Sequence, residues 1–204
     1  MPKRVDHTER RAEIGEALVR VAERRGLHAV GMRDVAAEAG VSLRLVQYYF
    51  ETKEKLLLYG LQRLTERFGE RVAALVRDAG AAPPPRALVE ALLLAALPTD
   101  AESRTFHLLY TSYAVLAVTD PALAAQPFLK DPDAAERTLA GLLRQARESG
   151  LTHPGVDPEL EGVGLLAMSA GLGSSVLAGQ RSPESAVAVL EHHLDRIFRA
   201  AGKP

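Results

Sequence analysis

The sequence predicts an all-α protein of about nine helices, with a small three-helix domain at the N-terminus and a larger helical domain after it. Three observations lead there. Within residues 32–56, two short amphipathic stretches flank Gly40-Val41-Ser42, the arrangement of a helix-turn-helix. Elsewhere, apolar residues recur at spacings of three and four. Helix-start signals stand before those stretches, and no run alternates as a strand would.

The first helix is expected over about Thr8 to Arg25, with Ile14, Leu18 and Val21 on one face. Asp6 with Glu9 would form a capping box, and Gly26 would stop the helix. The two motif helices follow. In the first, Ala36 stands where the pair would cross, and anything larger than a methyl would push them apart. Gly40 suits the left-handed backbone that turns the chain. Val41 points back to the core, and Ser42 caps the second helix by accepting from its first free N–H groups. Val35, Leu45, Val46 and Phe50 complete the small core, which leaves Leu43, Arg44, Gln47 and Tyr48 facing outward.

A fourth helix, from Lys53 to about Ala79, carries Leu56, Leu57, Leu61, Leu64, Phe68, Val72 and Leu75. Gly80 to Pro85 is the clearest break in the chain. A fifth helix spans about Arg86 to Leu97. Thr99 with Glu102 is expected to cap a sixth, which runs to about Val118. Asp120-Pro121 opens a seventh region that is interrupted near Asp131-Pro132 and ends at Gly150. Asp157-Pro158-Glu159 and Ser182-Pro183-Glu184 repeat one signal: a capping side chain, Pro in the first turn, then an acid at the positive helix end. The domains expected are 1–52 and 53–204, with 53–79 as the helix joining them.

The motif resembles the DNA-binding domain of the TetR family of bacterial transcriptional regulators. The residues that carry the resemblance are Ala36, Ala39-Gly40-Val41-Ser42, Tyr48-Tyr49-Phe50 and Thr52-Lys53-Glu54-Lys55-Leu56. Two departures stand out. Arg44 and Gln47 replace the Gly and Tyr common in the family's recognition helix, and Met32 replaces a capping Thr or Ser, so Gly31 would serve as the cap. The first falls on the exposed face and bears on which DNA sequence is read. The resemblance implies that Arg33, Leu43, Arg44, Gln47 and Tyr48 read bases. Arg suits the two acceptors of guanine and Gln can pair with adenine. Ser42, Tyr49 and Lys53 would hold phosphates, Lys53 with help from the positive end of its helix.

Composition supports a sequence-specific binder over a protein that coats nucleic acid. The net charge of the 204 residues is −1. Residues 1–55 hold 11 Lys/Arg against 9 Asp/Glu, and the remainder 14 against 17, so the basic surface is local. No signal-peptide pattern follows Met1-Pro2-Lys3-Arg4, and there is no cysteine, which together fit a cytoplasmic protein without disulfides.

The larger domain carries two further patterns. Gly164, Ala167, Gly171, Ser174 and Ala178 form a stripe of small residues that would let another helix approach closely, and Val187, Leu190, Leu194 and Ile197 have the same spacing on the last helix. The penultimate helix is apolar on its other faces too, which calls for burial on every side. A second copy of the chain would supply it, whereas a membrane span is disfavoured by its Gly and Ser content. By resemblance, the last two helices join two subunits as a four-helix bundle. The second pattern is a face of the sixth helix with Phe106, Leu109, Tyr110 and Tyr113. Such stripes are most often core. The resemblance implies an effector pocket in this domain, touching some of Phe68, Phe106, His107, Tyr110, Tyr113 and Met168 and suited to a hydrophobic or amphipathic compound.

Catalysis is not expected. Gly171-Leu172-Gly173-Ser174-Ser175 lacks the third Gly of a dinucleotide fingerprint and follows no strand. It fails equally as a nucleophile elbow. His192 and His193 project about 100° apart on a helix and make a poor chelating pair, so neither metal nor cofactor is expected. Two alternatives stand beside a ligand-released repressor: a DNA-binding regulator with no effector, and a helical protein–protein module.

Overall fold

The computed structural model describes residues 7–126 and 133–199, and ten α-helices account for most of them. They are α1 (His7–Arg25), α2 (Met32–Glu38), α3 (Leu43–Phe50), α4 (Lys53–Asp78), α5 (Pro85–Ala96), α6 (Ala101–Ala117), α7 (Pro121–Ala124), α8 (Asp133–Glu148), α9 (Pro158–Leu177) and α10 (Pro183–Ile197). Among the described residues the expected seventh region holds two helices, α7 and α8. Its interruption at Asp131-Pro132 lies outside the described residues, as does Asp6 of the expected first cap.

Most helix starts follow the sequence signals. Asp120 accepts from the N–H groups of Ala122 and Leu123, Asp157 from those of Glu159 and Leu160, and Ser182 from that of Ser185. The start of α6 differs. Asp100, not Thr99, is the cap: its carboxylate accepts from Ser103 N–H at 2.8 Å. The Ser103 hydroxyl accepts in return from the N–H groups of Thr99 and Asp100. Hydrogen bonding and Arg71 hold the Asp100 carboxyl below the usual carboxylate range against a desolvation effect that raises it. Glu102 is left to an ion pair with Arg71. A short polar side chain at the third helical position closes this box as well as a Glu does.

The described residues form two compact units. The first comprises the chain up to Arg67 together with Leu108–Gln126, and the second comprises Phe68–His107 together with the described chain beyond residue 132. Helices α4 and α6 each contribute one part to each unit.

In the first unit, α1 buries Ile14, Leu18 and Val21 against Val35, Ala36, Val46 and Phe50, each at most 4 % exposed. A fully buried side chain of this size contributes about 1.5–3 kcal/mol relative to exposure. Gly26 ends α1 with φ +79°. The later part of α6 is tied in by Tyr113, whose hydroxyl donates to the Leu57 carbonyl at 2.9 Å. Gly60 makes this possible, since a Cβ there would stand 2.7 Å from the Tyr113 oxygen and 2.4 Å from Leu18 Cδ2.

In the second unit, α5, α8, α9 and α10 surround one core of Val89, Leu93, Leu139, Leu143, Leu165, Leu190, Leu194, Ile197 and Phe198. After α10 the chain turns extended and pairs across an isolated bridge, Thr152 with Phe198. Helix α9 has two different sides. Gly162, Leu165, Ser169, Leu172, Gly173 and Val176 are buried, whereas Val163, Gly164, Ala167, Ala170, Gly171, Ser174 and Ala178 are exposed. Among the described residues α9 alone is long and apolar enough to cross a membrane, and 33 % of that stretch is buried within the subunit.

Candidate nucleic-acid interface

The helix-turn-helix is built by its local chemistry. Gly31, extended at φ −115°, stands at the start of α2 without a side-chain cap, as the Met32 departure requires. Arg20 and Arg24 of α1 both bind the Glu38 carboxylate, and Arg25 binds Asp34 at 2.5 Å. Hydrogen bonds from Arg20 and then Arg24 hold the Glu38 carboxyl below its usual range. These bridges fix α2 on α1, and α2 turns into α3 through Gly40 at φ +65°. Ser42 Oγ accepts from Leu45 N–H at 3.2 Å and so opens α3. Val41 is only half-buried, less enclosed than its turn position suggests.

This frame leaves one face of α3 to solvent. Arg44 and Gln47 are exposed, Leu43 is half-buried and Tyr48 is 68 % exposed. Arg33 is exposed on α2, and Lys53 is half-exposed where α4 begins. No carboxylate among the described residues pairs with Arg33, Arg44 or Lys53, in contrast to Lys55, which is bound to Glu51 at 2.6 Å. Thr52 Oγ accepts from Lys55 N–H and caps α4 beside Lys53. Three cations are thus held on the motif outside any salt bridge among the described residues, which suits a phosphate- and base-binding surface.

One neighbour of this face has no signal in the sequence. His7, 42 residues away from Tyr49, has its Nδ1 3.2 Å from the Tyr49 hydroxyl. Its ring lies 6.4 Å from that of Tyr48 and 5.8 Å from that of Tyr49, and the two tyrosine rings meet edge to face at 5.3 Å.

The residues singled out for an effector do not share one environment. Tyr113 is 1 % exposed and belongs to the packing of the first unit. Tyr110, also in the first unit, is half-buried, and burial raises its phenol above the usual range. In the second unit Phe68 stacks on Phe106 with ring centroids 4.5 Å apart. His107 is 5 % exposed and lies on the backbone of α9, where a Cβ on Gly173 would come within 2.2 Å of the ring. Its Nδ1 faces the Ala96 carbonyl at 3.3 Å and its Nε2 faces Ser174 Oγ at 3.4 Å. Desolvation lowers its pKa, and the Ala96 carbonyl opposes that shift. Met168 is partly buried against the core.

The expected interface residues also divide. Gly164, Ala167, Gly171, Ser174 and Ala178 are all exposed, and a Cβ on Gly164 or Gly171 would meet nothing within 4 Å. Leu190, Leu194 and Ile197, in contrast, are at most 2 % exposed inside their own subunit, and Val187 is half-buried. The spacing of α10 marks a core-facing stripe, which a sequence alone cannot separate from a partner-facing one. The outward side of α10 is instead Ser185, Ala188, Val189, His192 and Arg196.

Comparison with known proteins agrees with this geometry. Residues 14–59 match the family described as bacterial regulatory proteins of the tetR family, and residues 85–199 match the C-terminal domain of BetI-type transcriptional repressors. Among curated relatives, the HTH-type transcriptional regulator PksA of Bacillus subtilis is 36 % identical over 104 residues, covering 50 % of this chain and 49 % of that protein. The regulator BetI of Brucella suis is 36 % identical over 81 residues, covering 40 % and 41 %. The chain thus spans about half the length, or less, of these curated relatives. A transcriptional regulator of Saccharomonospora viridis, solved in complex with choline, superposes with a TM-score of 0.81 at 25 % identity, covering 95 % of this chain and all of that one (100 %). A TetR-family regulator from Rhodococcus sp. gives a TM-score of 0.76 at 26 % identity, covering 94 % and 99 %. The chain therefore belongs to the TetR family of bacterial transcriptional regulators, with a BetI-type C-terminal domain, and is not an enzyme.

Proposed function

We propose that the protein is a cytoplasmic repressor that binds a pseudo-palindromic operator as a homodimer and is released by a hydrophobic or amphipathic small molecule. The observation that carries the DNA reading is the set of cations on the motif outside any salt bridge, Arg33, Arg44 and Lys53, beside the exposed Gln47 and Tyr48. Leu43 and Tyr48 would contact the base edges flanking Arg44 and Gln47, and Ser42, Tyr49 and Lys53 would hold the backbone. Two recognition helices related by a two-fold axis then enter successive major grooves about 34–36 Å apart. Footprinting on genomic fragments tests this reading, and a protected palindrome is the expected result.

Arg44→Ala should weaken operator binding by roughly 1–3 kcal/mol and relax preference at one base pair. Lys53→Ala should weaken operator and unrelated DNA alike, and should lower the slope of log K against log salt by about one. Mobility shifts over a salt series check both. Wild-type affinity and slope in both variants would remove these residues from the interface.

The dimer reading rests on the outward stripe of α9, whose two glycines meet nothing. The effector reading rests on the family resemblance, and Tyr110, half-buried on α6, is the residue put to the test. Tyr110→Ala should abolish release by the effector while leaving operator binding near normal, because a ligand moves a population only by its differential affinity for two states. Loss of operator affinity without any change in ligand response would mark Tyr110 as packing. A second reading, a small organic cation, is favoured by the choline complex of the Saccharomonospora relative and by the stacked Phe68–Phe106 pair. An aromatic face attracts a quaternary ammonium group. Titrating operator-bound protein with choline and with an uncharged amphiphile separates the two.

A further inference from the structure

From the contact between α1 and the recognition helix, we infer that His7 is a positioning residue for DNA binding: it holds the Tyr49 phenol in the orientation that donates to a backbone phosphate. The inference rests on the placement of Tyr49 at the phosphates proposed above.

The geometry has three parts. The Tyr49 ring is bracketed by His7 and Tyr48, with centroids 5.8 and 5.3 Å away, so packing fixes its plane. His7 Nδ1 lies 3.2 Å from the phenol oxygen. A phenol has one hydrogen to give and a lone pair that can accept. When Nδ1–H donates to the oxygen, the hydrogen of Tyr49 is left for a second acceptor. His7 is itself exposed, so nothing in the subunit's own core requires this contact. The nearby basic residues of α1 have other engagements: Arg10 binds Glu13, and the Arg11 guanidinium lies 4.8 Å from the Tyr59 ring centroid and 5.2 Å from that of Phe50.

A surface tyrosine that must be immobilised on binding loses conformational freedom at that moment, and holding it beforehand removes the loss. Donation to the phenol oxygen also polarises its O–H toward the phosphate. The contact joins the first residue of α1 to the recognition helix, so the start of the chain's first helix takes part in operator binding without touching DNA.

The test is a double-mutant cycle on the footprinted operator duplex and on an unrelated duplex, read by fluorescence anisotropy. Tyr49→Phe should weaken both duplexes. His7→Phe, which keeps a ring but removes the hydrogen bond, should weaken both by roughly three- to tenfold. In the Tyr49→Phe background His7→Phe should add nothing, and His7→Gln, which retains a donor, should recover most of the loss. Thermal melting of every variant should match the wild type. If Tyr49→Phe weakens binding and His7→Phe does not, or if the two losses simply add, the role of His7 is overturned while the placement of Tyr49 stands. If Tyr49→Phe is silent, both fall.

Discussion

Leu194→Asp is expected to leave no folded subunit. Leu194 is 0 % exposed in the core that α5, α8, α9 and α10 enclose. Removing the leucine side chain from such a site costs about 2–5 kcal/mol in lost burial and cavity formation. A carboxylate left there without a partner adds several kcal/mol more. A domain of ordinary stability has about 5–15 kcal/mol in all, so the sum takes most or all of it. Circular dichroism should show lost helicity or a melt displaced far below that of the wild type. The sequence spacing alone would put Leu194 in the seam between subunits, and the same variant would then be a folded monomer. A well-folded Leu194→Asp monomer with a near-normal melt would contradict the packing described here.

Gly171→Leu should do the opposite: keep the subunit helical and separate the proposed dimer. Gly171 faces outward with nothing within 4 Å of a built Cβ, so the leucine meets no atom of its own chain. It would instead hold a second α9 away from the stripe of Gly164, Ala167, Ser174 and Ala178. Each DNA half-site gains from the other only when the two heads are joined, and losing that connection weakens binding by a factor of about 10² or more. Sedimentation velocity and mobility shifts on the same preparation should show a monomer with correspondingly weak operator binding. A Gly171→Leu protein that remains dimeric at micromolar concentration would place the interface elsewhere.

The turn, cap and crossing of the motif were legible because these positions are fixed by local sterics. Gly40 has the left-handed φ that the turn needs, Ser42 caps α3, and Ala36 is buried at the crossing. Helix starts at Asp120, Asp157 and Ser182 were legible for the same reason, since a cap acts within four residues. The α6 cap was misread because Thr99 and Asp100 are adjacent and both can cap; Ser103, which answers Asp100, decides it. What the sequence left unread depends on contacts remote along the chain. The apolar periodicity of α10 is identical for a core and for a seam. Tyr113 reads as a pocket aromatic until its hydroxyl is found on the Leu57 carbonyl, 56 residues away. His7 carries no pattern at all.

The two-sidedness of α9 gives stability a concentration scale. The helix carries most of an uncharged run from Gly162 to Gln180, in which six residues are buried in its own core and nine are exposed. A lone subunit must hydrate the outward half, whereas a paired one need not. Whatever binds the folded chain and not the unfolded one adds to its free energy of unfolding in proportion to the logarithm of its concentration. In the homodimer proposed above, that ligand is another copy of the chain. For that dimer, dilution should lower the melting temperature as well as operator occupancy, so that a cell holding few copies would hold a regulator both scarcer and individually less durable.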